Sequence, residues 1–313
     1  MKRALVFPGQ GSQAVGMGQA LAAAFTEARD VFQEVDEALG QNLSKLMFEG
    51  PPDDLKLTEN AQPALMAVSM AVIRVLEKQG NFQLPAAAKF VAGHSLGEYS
   101  ALCAAGMFSL ADTARLLKKR GQAMQEAVPV GIGAMAALIG VDMAIAQEIA
   151  AAAAQGEVCT AANDNAPGQV VISGHVAAVD RAMAIAAERG FKRSVKLPVS
   201  APFHCSLMQP AADVMQKALS NVSIKAPVVP VVANVTAEAE SEAATIRNLL
   251  VKQVTGAVRW RESVLYMRAQ GVEQLVECGA GNVLAGLTKR IDKELPALSL
   301  QTPEDIDAFL KTV

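Results

Sequence analysis

The residues best equipped for covalent chemistry are Gly93-His94-Ser95-Leu96-Gly97, a serine with a glycine two positions to either side. Lys89 to Ala92 before the motif reads as a buried strand, and the small residues after it read as a helix to about Ala105. Between a strand and a helix, the two glycines permit a cramped turn that projects the Ser95 hydroxyl as a nucleophile. The helix N-terminus beneath that hydroxyl favours developing negative charge.

Such a hydroxyl needs a base, and the chain has three histidines. His94 adjoins the nucleophile, so its side chain points away and suits packing or hydrogen bonding. His175 stands at a strand-to-helix junction and suits capping. His204, in Pro202-Phe203-His204-Cys205, is the best candidate for the base. An ordinary α/β-hydrolase places an acid between serine and histidine in chain order. Asp112, Asp142, Asp164 and Asp180 fall in that interval, yet none follows an obvious strand of the main body. A long stretch of chain also follows His204, so the pair is expected to be oriented by something other than a carboxylate.

Directly after the first apolar run comes Pro8-Gly9-Gln10-Gly11-Ser12-Gln13, a loop whose glycines let the backbone approach a ligand and whose amides can donate to an oxyanion. Gly9-x-Gly11-x-x-Ala14 also fits a relaxed dinucleotide fingerprint, but that pattern needs an acidic residue at the end of a second strand. Asp30 has the spacing and sits in a helical pattern instead. Arg120 can hold a carboxylate by two parallel hydrogen bonds. On spacing alone, Arg115, Lys118, Lys119 and Arg120 read more simply as a solvated, cationic helix end before Gly121.

The elements that must position these residues follow from the hydrophobic pattern. Ala4 to Phe7 reads as a buried parallel strand, Met17 to Leu39 and Ala61 to Glu77 as helices, and Val228 to Ala233 and Gln274 to Cys278 as further strands. Strand, loop and helix recur in the order of an α/β fold, with a parallel sheet and helices on both faces. From about 127 to 198 the rhythm changes. Ala134 to Val141, Val158 to Ala162, Gln169 to Ser173 and Lys192 to Leu197 read as strands, with helices at Met143 to Gln155 and Val176 to Arg189. That β-α-β-β-α-β order is the ferredoxin-like pattern, and it predicts a subdomain at 127–198 inserted in a hydrolase-like main domain of 1–126 and 199–313. Asn163 to Gly168 reads as a turn, with Asn165 a turn former that can reach the pocket mouth.

The 28 basic and 31 acidic residues leave a formal charge of −3, which gives no whole-molecule attraction for nucleic acid or anionic lipid. Cys103, Cys159, Cys205 and Cys278 lie far apart, without metal-site spacing, and read as small, reduced, apolar residues. The uncharged run Ala127 to Val141 has 15 residues and is broken by Pro129, Gly131 and Gly133, too short to span a bilayer. These features predict a soluble, cytoplasmic protein with no metal site and no membrane or nucleic-acid partner.

Phe7-Pro8-Gly9-Gln10-Gly11-Ser12-Gln13, Gly93-His94-Ser95-Leu96-Gly97-Glu98, Gln122-Ala123-Met124-Gln125, Asn165-Ala166-Pro167-Gly168-Gln169 and Pro202-Phe203-His204 occur in this order. Together they closely resemble the malonyl-CoA:acyl carrier protein transacylase family of bacterial fatty-acid synthesis, a pattern shared with polyketide acyltransferase domains. The resemblance implies that Ser95 accepts a malonyl group, that His204 is its base, and that the backbone carbonyl of Gln253 orients the imidazole. It also implies an oxyanion hole from the amides of Gln10 and Leu96, and a pairing of Arg120 with the malonyl carboxylate. Phe203 and Leu96 look like the forms associated with malonyl rather than methylmalonyl. Malonyl-CoA and an acyl carrier protein are the implied substrates, with no cofactor. A serine thioesterase or esterase, and a non-catalytic carrier-docking module, are the rival readings. Lys118 with Lys119, Arg189, Lys192, Arg193, Lys196, and Lys289 with Arg290 could form a basic rim for an acidic carrier.

Overall fold

The computed structural model describes residues 1–80, 82–199 and 201–313. Its strands are β1 (Arg3–Phe7), β2 (Ala88–Gly93), β3 (Gly133–Ile139), β4 (Cys159–Ala166), β5 (Gln169–His175), β6 (Val195–Lys196), β7 (Val231–Val232), β8 (Ala239–Glu240), β9 (Gln274–Cys278) and β10 (Ala297–Leu300). They form two sheets. One has the order β10-β9-β1-β2-β7-β8, and its first five strands run parallel. At its edge β8 turns back antiparallel to β7, so the sheet is mixed rather than purely parallel.

Alternation along the strands buries both faces of this sheet. Leu5, Phe7, Val91, Val276 and Cys278 point into the larger core with the long helix Thr58–Gln79 and the helices Gly97–Ala104 and Leu110–Glu126. Ala4, Val6, Phe90, Ala92 and Leu275 point the other way, towards Trp260, Val264 and Met267 of the helix Trp260–Ala269 and Leu284 and Leu287 of the helix Val283–Ile291. The architecture is α/β, as the alternating pattern predicts.

The second sheet has the order β4-β5-β3-β6, with every pair antiparallel. Ala134, Ala136 and Leu138 of β3 pack under the helices Met143–Ala154 and Val176–Glu188. Met135 and Ala137, on its other face, join the core of the main body with Val171 and Phe203. The second sheet is therefore walled into the rest of the molecule rather than hung from it.

Several local expectations need correction. The helix expected over Met17 to Leu39 is two, Gln19–Ala24 and Thr26–Leu39, because Phe25 is extended between them. The expected turn at Asn163 to Gly168 shrinks to Pro167-Gly168, since β4 continues to Ala166. That extension is held by backbone bonds to Val258, from Asp164 N–H and to Ala162 O, and by an Arg261–Asp164 ion pair of 2.8 Å. The strand expected at Lys192 to Leu197 is cut to the exposed pair Val195–Lys196. Gly121 does not end the helix carrying Arg120, which runs on to Glu126.

Candidate active site

The turn between β2 and the helix Gly97–Ala104 presses its backbone against β1. A Cβ on Gly97 would stand 2.2 Å from Phe7 O, so only glycine lets the helix start there. Gly9 is equally constrained, since a Cβ would lie 2.8 Å from His94 O, and this closeness seats the Pro8–Gln13 loop against the turn. Ser95 itself is left-handed, at φ 53°. A non-glycine residue in this region is strained, and surrounding bonds must hold it.

Two side chains from distant elements supply those bonds. Ser95 N–H donates to Asn234 Oδ1 at 2.8 Å, and Gln253 Nε2 donates to Ser95 O at 2.9 Å. The hydroxyl is thereby aimed at His204, whose Nε2 lies 2.8 Å from Ser95 Oγ. His204 Nδ1 faces the carbonyls of Gln253 at 2.9 Å and Gly256 at 3.1 Å. Carbonyls only accept, so Nδ1 carries the proton and Nε2 is free to accept one from Ser95.

Among the described residues, no carboxylate bonds this imidazole. Asp164 pairs with Arg261 and Asp180 with Lys196, while Asp142 caps the helix Met143–Ala154 and Asp112 bonds Ser109. Burial, and then the Arg120 charge, lower the His204 pKa to about 3, so the imidazole is neutral at physiological pH. A stability consequence follows. An unfolded histidine takes up its proton near 6.5 and the folded one only near 3, so stability is lost as pH falls through that window. By about pH 4.5 this single group lowers the unfolding free energy by about 2 to 3 kcal/mol. Urea denaturation at pH 7 and pH 4.5 checks it: the drop shrinks in His204→Gln, and equal drops in both proteins would refute it.

Arg120 is buried, contrary to a solvated helix end. Its Nη1 donates to Gln62 Oε1 at 2.8 Å, and its Nη2 to Gln253 Oε1 at 2.8 Å and Ser95 Oγ at 3.1 Å. Its guanidinium carbon lies 5.6 Å from the centre of the Tyr99 ring. Burial lowers its pKa, as expected for a cation taken out of water without an ion-pair partner in contact. A guanidinium can pair with an anionic group by parallel, charge-assisted hydrogen bonds, and this one is held 3.1 Å from the Ser95 hydroxyl.

Leu96 directly follows Ser95 and caps the helix Gly97–Ala104, while Gln10 belongs to the Pro8–Gln13 loop seated against the same turn. Among the described residues, neither backbone amide has an internal acceptor. Phe203 precedes the base and is buried with Met135 and Val171. His94 has the hydrogen-bonding role expected of it: its Nε2 lies 2.8 Å from Asn165 Oδ1, and its ring is 5.8 Å from that of Trp260. Asn165 is thus a strand residue with a partner rather than a turn former. His175 makes no side-chain cap and instead accepts Val158 N–H at Nδ1, at 2.9 Å.

Sequence reasoning missed Gln62, Asn234 and the buried Glu98. Glu98 stood within the quoted serine motif, three residues after Ser95. Asn234 and Gln62 carried no signal beyond their place after a strand and on an apolar helix.

A serine in contact with a neutral imidazole that leans on backbone carbonyls, beside a buried cation, defines an α/β protein built for acyl transfer. The chain belongs to the acyl transferase domain family, which matches residues 4–296. It is 49% identical, over 98% of both chains, to the malonyl CoA-acyl carrier protein transacylase of Escherichia coli strain K12. The crystal structure of the acyl-carrier-protein-S-malonyltransferase of Bartonella henselae superposes with a TM-score of 0.98 at 57% identity, covering 100% of this chain and 99% of that one. A malonyl-transacylase solved in complex with its type II PKS acyl-carrier protein superposes at 0.96, with 43% identity and all of both chains covered.

Proposed function

We propose that this enzyme transfers the malonyl group of malonyl-CoA to the phosphopantetheine thiol of acyl carrier protein by way of a malonyl ester on Ser95, feeding fatty-acid synthesis. The observation that carries the reading is the line from Arg120 Nη2 to Ser95 Oγ to His204 Nε2, at 3.1 and 2.8 Å. In the first half-reaction Ser95 Oγ bonds to the thioester carbon, its proton passes to His204 Nε2, and the C–S bond breaks with return of the proton to the coenzyme A sulfur. In the second, the carrier thiol gives its proton to Nε2, its sulfur bonds to the ester carbon, and the C–O bond to Ser95 breaks as Nε2 returns that proton to Ser95 Oγ, which restores the free enzyme.

Gln253 O keeps the imidazole in the required tautomer, the amides of Gln10 and Leu96 receive the tetrahedral oxyanion, and Arg120 takes the free malonyl carboxylate. Phe203 and Leu96 crowd the α-carbon, where one added methyl is worth about 1 to 3 kcal/mol of discrimination. Both steps move only protons and an acyl group, so neither a metal nor a bound cofactor is called for, and we place the reaction in the cytoplasm. No helix among the described residues is long and apolar enough to cross a membrane.

The fold reading that accompanies this is a hydrolase-like main domain of 1–126 and 199–313 with a ferredoxin-like insertion at 127–198. The order of the second sheet, with the insertion's first and third strands at its centre and every pair antiparallel, supports it. Of the cations offered as a carrier-facing rim, Lys118, Arg189 and Lys196 are engaged with Glu59, Glu148 and Asp180. Arg290 bonds Gln169 and Pro167 O, which fastens the insertion to the helix Val283–Ile291. Lys119, Lys192, Arg193 and Lys289 are left as the candidate contacts.

Incubation of the purified enzyme with malonyl-CoA is expected to add one malonyl mass, seen by intact mass spectrometry, and carrier protein then removes it. Ser95→Ala shows no gain. A wild-type enzyme that releases free malonate quickly and leaves the carrier unacylated is a thioesterase, and the reading fails.

A further inference from the structure

Glu98 is a buried acid at the centre of the site that touches neither the base nor any position assigned to substrate. Its Oε2 accepts Gln253 Nε2 at 2.7 Å and Asn234 N–H at 3.3 Å. Those two residues are the ones that hold the nucleophile, through Ser95 C=O and Ser95 N–H. Gln253 Nε2 also reaches Asn234 Oδ1 at 3.2 Å, and Asn234 Nδ2 donates to Gly93 O at 2.7 Å, which closes the network onto the end of β2. Gln253 and Asn234 are both fully buried, so an N–H that lost its acceptor here would find no water in exchange.

We propose that Glu98 is the positioning residue of the nucleophile: through Gln253 and Asn234 it holds both backbone polar groups of the left-handed Ser95 and so keeps the hydroxyl on the His204 line. The inference rests on the acyl-transfer reading of the same site. Two features separate the role from that of a catalytic acid. The His204 Nδ1 proton goes to carbonyls, so Glu98 orients no imidazole, and the carboxylate's bonds run to Gln253 and Asn234 rather than to the serine or the base. Burial pushes its pKa up to about 7, which makes a carboxyl a costly filler; what it supplies is one oxygen able to accept two N–H groups from two different elements. Without that oxygen, Gln253 can turn its amide, and with it go both the Ser95 C=O bond and the Gln253 Oε1 bond to Arg120.

The test compares wild type, Glu98→Ala, Glu98→Gln and Asn234→Ala in single-turnover malonylation and in labelling of Ser95 by a small fluorophosphonate, which uses neither Arg120 nor the coenzyme A site. Glu98→Ala is expected to lose about 10- to 100-fold in kcat with little change in KM, and to slow labelling by a similar factor. Glu98→Gln keeps an acceptor oxygen and is expected to recover most of both rates. Asn234→Ala, at the far end of the same chain of bonds, repeats the Glu98→Ala signature and carries the test if that variant does not fold. A folded Glu98→Ala, or a folded Asn234→Ala, with wild-type kcat and labelling overturns the proposal. A wild type that labels but is never malonylated overturns the acyl-transfer reading instead.

Discussion

Replacing His204 with alanine is expected to lower the rate of Ser95 malonylation by about four to six orders of magnitude, the range found when the base of a serine nucleophile is removed. The size of the effect follows from the local geometry. Among the described residues, Ser95 Oγ has one proton acceptor within reach, His204 Nε2 at 2.8 Å, while its other polar neighbour, Arg120 Nη2 at 3.1 Å, is a donor that can take no proton. Rapid-quench measurement of the acyl-enzyme at saturating malonyl-CoA checks this. Retention of more than about a hundredth of the wild-type rate by a folded variant would mean that another group removes the proton.

Replacing Arg120 with alanine is expected to lower kcat/KM for malonyl-CoA by about 100- to 10,000-fold and to leave acetyl-CoA, which has no second carboxylate, nearly unaffected or improved. The cation is fully buried and bonded to Gln62, Gln253 and Ser95, all neutral groups that a carboxylate can displace. The same guanidinium helps to lower the His204 pKa. Its removal therefore also raises the basicity of the imidazole, which is why acetyl transfer need not suffer with malonyl transfer. Parallel transfer assays with the two thioesters decide the point, and equal losses for both would show that Arg120 does not read the acyl carboxylate.

Much of this site was legible because its chemistry is concentrated in short, ordered motifs. The strand, the serine turn and the following helix are local, and only glycine fits where Gly97 meets Phe7 O. The scarcity of histidine narrowed the base to His204 by elimination. Arg120 illustrates the limit: a run of cations at the end of a helical pattern looks solvated until the long helix Thr58–Gln79 is seen packed across it, with Gln62 as its partner. Asn234 and Gln62 escaped because nothing in their neighbourhood marks an amide whose importance comes only from what lies opposite. The end of β4 was misread for a similar reason. Asn163 to Gly168 has the composition of a turn, and the strand is prolonged by pairing with Val258, almost a hundred residues away.

That the imidazole leans on two peptide oxygens bears on how the acylated enzyme survives in water. A carboxylate in their place would strengthen the base and stabilise its cation; carbonyls fix the ring without lending it charge. Water, with a pKa of about 15.7, is a far weaker acid than an alkyl thiol near about 8.5, so the thiol of an arriving acceptor gives up its proton to this ring much the more readily. The two peptide oxygens behind His204 thus leave the choice between sulfur and water to the acidity of the acceptor rather than to the strength of the base.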